Sequence, residues 1–256
     1  SPMRDRSESY RAAAASTTAL EALGIGCYHA AMLASTRYPS TVSAPPLLVV
    51  HGLFGSARNW GVICKHLAAN RTVVAVDMRN HGASPRAQTQ SYADMAGDLA
   101  QVIEAEGQPM DVLGHSMGGK AAMMLALLRP ELIRKLVVAD IAPVAYSHDQ
   151  SHHIQSMRGL DLTDLSSRSE ADDRLAKAIS DPALRAFFLQ SLDLKADPPE
   201  WRLNLDVLEA EMPKIVGWPD VQGVFDHPTL FLTGALSRYV RPEHRSQIKA
   251  HFPKAR

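Results

Sequence analysis

The sequence predicts an α/β fold: a mostly parallel central sheet flanked by helices, with a helical cap inserted before its last part. Three observations carry this. Short apolar runs alternate with amphipathic stretches from residue 47 to 139, the rhythm of parallel strands joined by crossover helices. The rhythm then stops from 143 to 226, where proline-divided helical segments take over. It resumes with an apolar run at 229–233.

Each element has its own justification. Leu47-Leu48-Val49-Val50 is an unbroken apolar run ending at His51-Gly52, as in a strand covered on both faces. Trp60, Ile63 and Leu67 recur at helical intervals between 58 and 69. Residues 72–76 are β-branched around one alanine and read as a second strand, closed by Asp77. Met95, Leu99, Val102 and Ile103 give 91–106 a helical stripe that Gly107 stops. A third strand at 110–114 turns into a helix at 117–128, which Pro130 ends, and 136–139 is the fourth strand. Within 143–226, residues 170–179 and 182–192 read as short helices among Pro182, Pro198, Pro199, Pro213 and Pro219. An excursion of that length predicts a cap over a site, because long connections without a role are uncommon. A helix from about 242 to 252 follows the strand at 229–233.

The expected organisation is therefore a core in two parts, 41–142 and 227–256, around a cap at 143–226. Residues 1–40 read as a poorly ordered extension or tag: Ser1-Pro2 precede Met3, and 11–34 is rich in Ala, Ser and Thr. Asp5, Glu8 and Glu21 weigh against a targeting peptide, and Met32 offers an alternative start. Charge narrows the function: 27 Lys+Arg balance 27 Asp+Glu, leaving no surplus for phosphate contacts, so no nucleic-acid partner is expected. The longest strictly apolar run, 121–128, is far short of the roughly 20 residues of a membrane span, so no membrane partner is expected either. Cys27 and Cys64 are too few for a disulfide scaffold and lack metal-ligand spacing, which favours a reducing, cytoplasmic setting. No metal-ligand set and no cofactor motif stands out.

The chemistry centres on Gly114-His115-Ser116-Met117-Gly118-Gly119. The pattern G-x-S-x-G is weak alone, but here an apolar strand turns through it straight into a helix. That is the context of a nucleophile elbow, a strained turn with small flanking residues that leaves the serine oxygen exposed above the sheet. A phosphate loop is disfavoured, since Lys120 is misplaced for one. The loop His51-Gly52-Leu53-Phe54-Gly55-Ser56 follows the first core strand and in such an architecture faces the elbow. The amides of Leu53 and Met117 are then the candidate oxyanion-hole donors. His51, at a strand end beside the loop, reads as structural rather than as a base.

Three segments together resemble the α/β-hydrolase superfamily: 48–56, the stretch Asp77-Met78-Arg79-Asn80-His81-Gly82-Ala83-Ser84-Pro85, and 114–120. More narrowly they are similar to compact bacterial acyl esterases and thioesterases related to mitochondrial abhydrolase-domain esterases. Asp140-Ile141-Ala142-Pro143 and Ile215-Val216-Gly217-Trp218 fit the same group. The resemblance implies a serine, acid, histidine triad in that chain order, acting on a small-molecule ester or thioester without a cofactor. Ser116 is the nucleophile it implies. The usual acid position after the cap holds Ser237, whereas the narrower group places its acid at the end of the preceding strand, here Asp140; Asp220 and Asp226 are weaker candidates. Phe54, His115, Phe187, Phe188, Trp201 and Trp218 are candidate pocket residues, the last four as an acyl lining or as a small cap core. A C–C bond hydrolase, a cofactor-free haloperoxidase and a non-catalytic binding protein remain as alternatives.

The family's histidine follows one more strand, and its spacing places it about ten residues beyond Arg256. The expectation is a core whose last strand and helix are missing from these 256 residues. His227, His244 and His251 read as structural or surface residues. His148, His152 and His153 open the cap as a solvated loop or as substrate or metal contacts.

Overall fold

The computed structural model describes residues 32–147 and 149–256; Cys27, the rest of 1–31 and His148 lie outside the described residues. The core strands are β1 Ser35–Tyr38, β2 Leu47–Val50, β3 Val73–Val76, β4 Met110–His115, β5 Ile133–Ala139 and, after the insertion, β8 Thr229–Leu232. A two-stranded hairpin within the insertion supplies β6 Leu192–Asp193 and β7 Glu200–Trp201. The sheet order is β1-β3-β2-β4-β5-β8, parallel throughout except for β1, which runs antiparallel to β3.

Every residue of β2 and β3 is buried, which explains their unbroken apolar sequences: helices cover both faces. The core helices are α1 Gly61–Leu67, α2 Tyr92–Ala105 and α3 Met117–Leu128. Residues 117–127 of α3 are all buried, so this helix is apolar on every side rather than striped. The cap contains α4 Ser151–Arg158, α5 Arg168–Leu175, α6 Pro182–Leu189, α7 Leu205–Ala210 and α8 Met212–Val216; α9 Arg245–His251 follows β8. Ile154, Met157, Leu175, Phe188 and Trp201 are buried, giving the cap its own apolar interior.

One expectation needs correcting. The sheet includes β1, which lies inside the stretch 1–40 that the sequence placed outside the fold. Ser35-Thr36-Arg37-Tyr38 escapes periodicity because an edge strand buries little; its residues are mostly exposed, and Arg37 pairs with Glu106 at 2.5 Å. At the other edge, Ala255 bridges Thr229 in parallel, the Phe231 amide donates to Arg256 O at 2.9 Å and the Arg256 amide to Thr229 O at 3.0 Å.

Candidate active site

Ser116 caps α3 with φ 50° and ψ −118°, a conformation disfavoured for any residue with a Cβ. Its neighbours make this turn possible. A Cβ at Gly114 would lie 2.4 Å from the Gly118 carbonyl oxygen, and one at Gly118 2.4 Å from that of His51. Strand, turn and helix therefore pack backbone to backbone, which only glycine allows. The Ser116 amide donates to Ala139 O at 3.0 Å, fixing the turn to β5. Among the described residues the Ser116 side chain has no hydrogen bond, and Ser116 lines the cavity described below.

The loop at 51–55 lies against this turn: a Cβ on Gly52 would sit 3.1 Å from Ser116 Cβ. Two buried histidines hold the loop. The Met78 amide donates to His51 Nε2 at 2.9 Å and the Phe54 amide to His81 Nε2 at 3.2 Å. The opposite ring nitrogens reach carbonyls, His51 Nδ1 to Gly52 O at 2.7 Å and His81 Nδ1 to Arg79 O at 2.8 Å. Both rings are therefore neutral with the proton on Nδ1. Burial is the main cause, pulling His51 down to about 4 and His81 to about 3. With Phe54 (φ 65°) engaged, the Leu53 amide is left without a backbone partner among the described residues. The Met117 amide opens α3 and has no intrahelical acceptor. Among the described residues both amides picked out as donors thus lack an acceptor; Met117 adjoins Ser116 in the chain, and Leu53 adjoins Gly52, which packs on the turn.

Asp140 ends β5 with φ 56°, one residue past the pairing of His115 with Ala139. Its amide donates to Leu232 O at 2.7 Å and its Oδ1 accepts from Thr233 Oγ1 at 3.3 Å. Its charge also reaches His115, raising a pKa that burial lowers more strongly. Asp220 and Asp226 lie on the exposed surface, Asp226 paired with Lys254. Ser237 accepts a hydrogen bond from the Tyr239 amide.

A cavity of about 480 Å³ opens above Ser116 between core and cap. Leu53, Phe54, His115, Met117, Phe187 and Phe188 all line it, so most sequence-selected pocket residues meet there. Trp201 and Trp218 do not. Trp201 is buried in the cap, its Nε1 donating to Met157 O, because a buried indole needs an acceptor and finds it within the cap. Trp218 packs on Tyr92, 6.1 Å between ring centroids. Sequence reasoning missed Lys120, Tyr146, Ile215, Val216 and Tyr239, which also line the cavity. Lys120 was in plain sight in the elbow motif, and 215–216 in the family-like stretch after the cap.

No described histidine hydrogen-bonds Ser116. His227 Nδ1 binds Ile133 O at the start of β5, the far end of the sheet from Ser116; His251 Nδ1 binds Gly223 O, and His244 accepts from the Arg241 amide. His153 lines the cavity, its ring 3.8 Å from that of exposed His152 and 5.1 Å from Phe188. Among the described residues no group of three or more His, Cys, Asp or Glu is placed to hold a metal.

A strained serine at a strand–helix turn, open amides beside it and a capped apolar cavity together define a hydrolase of the α/β type. Comparison agrees, and the chain belongs to that family: a family model described as alpha/beta hydrolase fold matches residues 45–256. The chain is 38% identical over 221 residues to the sn-1-specific diacylglycerol lipase ABHD11 of Mus musculus, covering 82% of this chain and 72% of the relative. It is 39% identical over 214 residues to esterase YbfF of Escherichia coli, covering 82% of each. A solved marine microorganism esterase superposes with a TM-score of 0.82 at 33% identity, covering 88% of this chain and 89% of that one. The protein is an esterase-type hydrolase.

Proposed function

We propose that the protein hydrolyses small carboxylic esters or acyl thioesters through an acyl-enzyme on Ser116. The observation that carries it is the unpartnered Ser116 oxygen, held on a strained turn at the base of a largely apolar cavity beside two open amides. Ser116 Oγ attacks the acyl carbonyl, whose oxygen becomes an oxyanion held by the Leu53 and Met117 amides; such donors contribute about 2.7–4 kcal/mol each to lowering the barrier. The alcohol or thiol leaves, and water then releases the acid. Asp140 orients the histidine base. Among the described residues no histidine hydrogen-bonds Ser116 or Asp140; His115 and His153 line the cavity. No cofactor enters the scheme.

The protein is further assigned a reducing, cytoplasmic setting and no nucleic-acid or membrane partner. Its balanced charge and the free, buried Cys64 support this. Among the described residues no helix is long and apolar enough to cross a membrane. The mouse relative's name adds a diacylglycerol, an acyl ester with a free hydroxyl, to the substrates worth assaying.

The test uses the full-length protein with a fluorophosphonate probe and a series of p-nitrophenyl esters and acyl thioesters. Labelling that Ser116→Ala abolishes, together with ester turnover, is the expected result. An unlabelled protein that still binds acyl compounds would favour a non-catalytic binding role. Labelling with no ester or thioester turnover would favour a C–C hydrolase or haloperoxidase.

A further inference from the structure

The elbow motif ends in a residue the acyl-transfer scheme does not use. Lys120 is 1% exposed, and no carboxylate is within ion-pairing distance of it among the described residues. Burying an ammonium without a counter-charge is costly, so its retention needs another explanation. The ammonium donates to Val216 O at 3.1 Å and Gly217 O at 2.5 Å, and it lies over the rings of Tyr92 (5.6 Å) and Tyr146 (4.8 Å). These carbonyls end α8, where a helix leaves its acceptors open and partially negative. Neighbouring bonds hold the same segment: Tyr92 Oη donates to Ile215 O at 2.5 Å and the Tyr146 amide to Val216 O at 2.9 Å. Three consecutive cap carbonyls are thus fastened to the core. Ile215 and Val216 are also part of the cavity wall, and Lys120 sits one helical turn after Ser116.

We propose that Lys120 is a positioning residue which latches the cap to the nucleophile helix, fixing the Ile215–Val216 wall and with it the acyl-chain length the cavity accepts. It rests on Ser116 hydrolysing acyl esters. The groups facing the ammonium are Tyr92 from α2, Tyr146 from the segment after β5 and the α8 carbonyls; burial raises the pKa of both tyrosines, keeping them neutral. Burial also lowers Lys120 to about 7, so the latch weakens as the ammonium loses its proton and its attraction to the rings.

Lys120→Met in the full-length protein, assayed on p-nitrophenyl esters from acetyl to dodecanoyl, tests this. KM for the preferred chain rises roughly tenfold with little change in kcat, and chain-length preference flattens. Wild-type KM climbs as pH rises through about 7, while that of the variant stays level. Amide exchange at 212–217 quickens in the variant while α3 stays protected; wild type compared at about pH 6 and about pH 8.5, corrected for intrinsic rates, gives the same readout should the variant not fold. Unchanged KM, preference and exchange would overturn the latch, as would a fall in kcat at constant KM. Fluorophosphonate labelling run alongside separates the two ideas: no label on wild-type Ser116 defeats the esterase scheme, whereas labelling with an unmoved KM defeats only the latch.

Discussion

Ser116 and Asp140 each stand one residue beyond a paired position on adjacent parallel strands, His115 with Ala139, and both adopt left-handed backbone, φ 50° and 56°. Two strained residues side by side at one sheet end are what a shared site requires. In the proposed scheme Ser116 is the nucleophile and Asp140 the carboxylate that orients the base. If Asp140 has that role, Asp140→Asn lowers kcat by roughly 10³–10⁴ with little change in melting temperature. Steady-state kinetics on a short-chain ester checks this; a variant within about tenfold of wild type would move the acid elsewhere.

The His51 and His81 rings act through the loop they hold. His81→Ala removes the acceptor of the Phe54 amide and lets the Leu53 donor drift, so kcat falls about a hundredfold at nearly constant KM. A kcat near wild type would show that the loop holds itself.

The same rings set an acid limit. Their folded pKa values, about 4 and about 3, lie below the unfolded value near 6.5, so the unfolded chain binds protons first as pH falls. Their contribution is complete above pH 6.5 and is lost progressively as pH drops toward 4, amounting to several kcal/mol. Urea midpoints measured across that window should fall steeply, and less steeply in His81→Ala. A flat profile would contradict neutral buried rings.

Two glycines give opposite forecasts. Gly118→Ala forces a Cβ to within 2.4 Å of a backbone oxygen and destabilises by about 2–4 kcal/mol. Gly97→Ala, in α2 with nothing within 4 Å of the added Cβ, stabilises by about 0.5–1 kcal/mol. Chemical denaturation of the pair decides it, and equal shifts would contradict the packing at the elbow.

Adjacent cap phenylalanines should separate in the same way. Phe188 is 1% exposed and packs edge-on to Phe54, 5.4 Å between ring centroids, so Phe188→Ala costs about 3–5 kcal/mol of stability. Phe187 is half-buried on the cavity wall, and Phe187→Ala shifts preference toward longer acyl chains with a smaller stability loss. Comparing melting temperature and chain-length profile of the two variants tests the assignment; a reversed pattern would contradict it.

The strands and helices of the core were legible because burial on both faces writes itself into unbroken runs such as 47–50 and 73–76. The strand–helix turn at 114–118 was legible because it tolerates only glycine at 114 and 118. Other features left no such trace. β1 is polar because it is an edge, and Trp201 looked like pocket lining because an aromatic side chain carries no mark of which cavity it faces. Lys120 lay within the motif, yet its partners are carbonyls about 96 residues away, and only the folded cap brings them to it.

The most direct test of the acyl-enzyme is mass spectrometry of full-length protein quenched during turnover of p-nitrophenyl acetate, followed by peptide mapping. An acetyl adduct on Ser116, accompanied by a burst of p-nitrophenol near one per chain and absent in Ser116→Ala, is the predicted result. Undiminished turnover in Ser116→Ala, or an adduct on another residue, would contradict it.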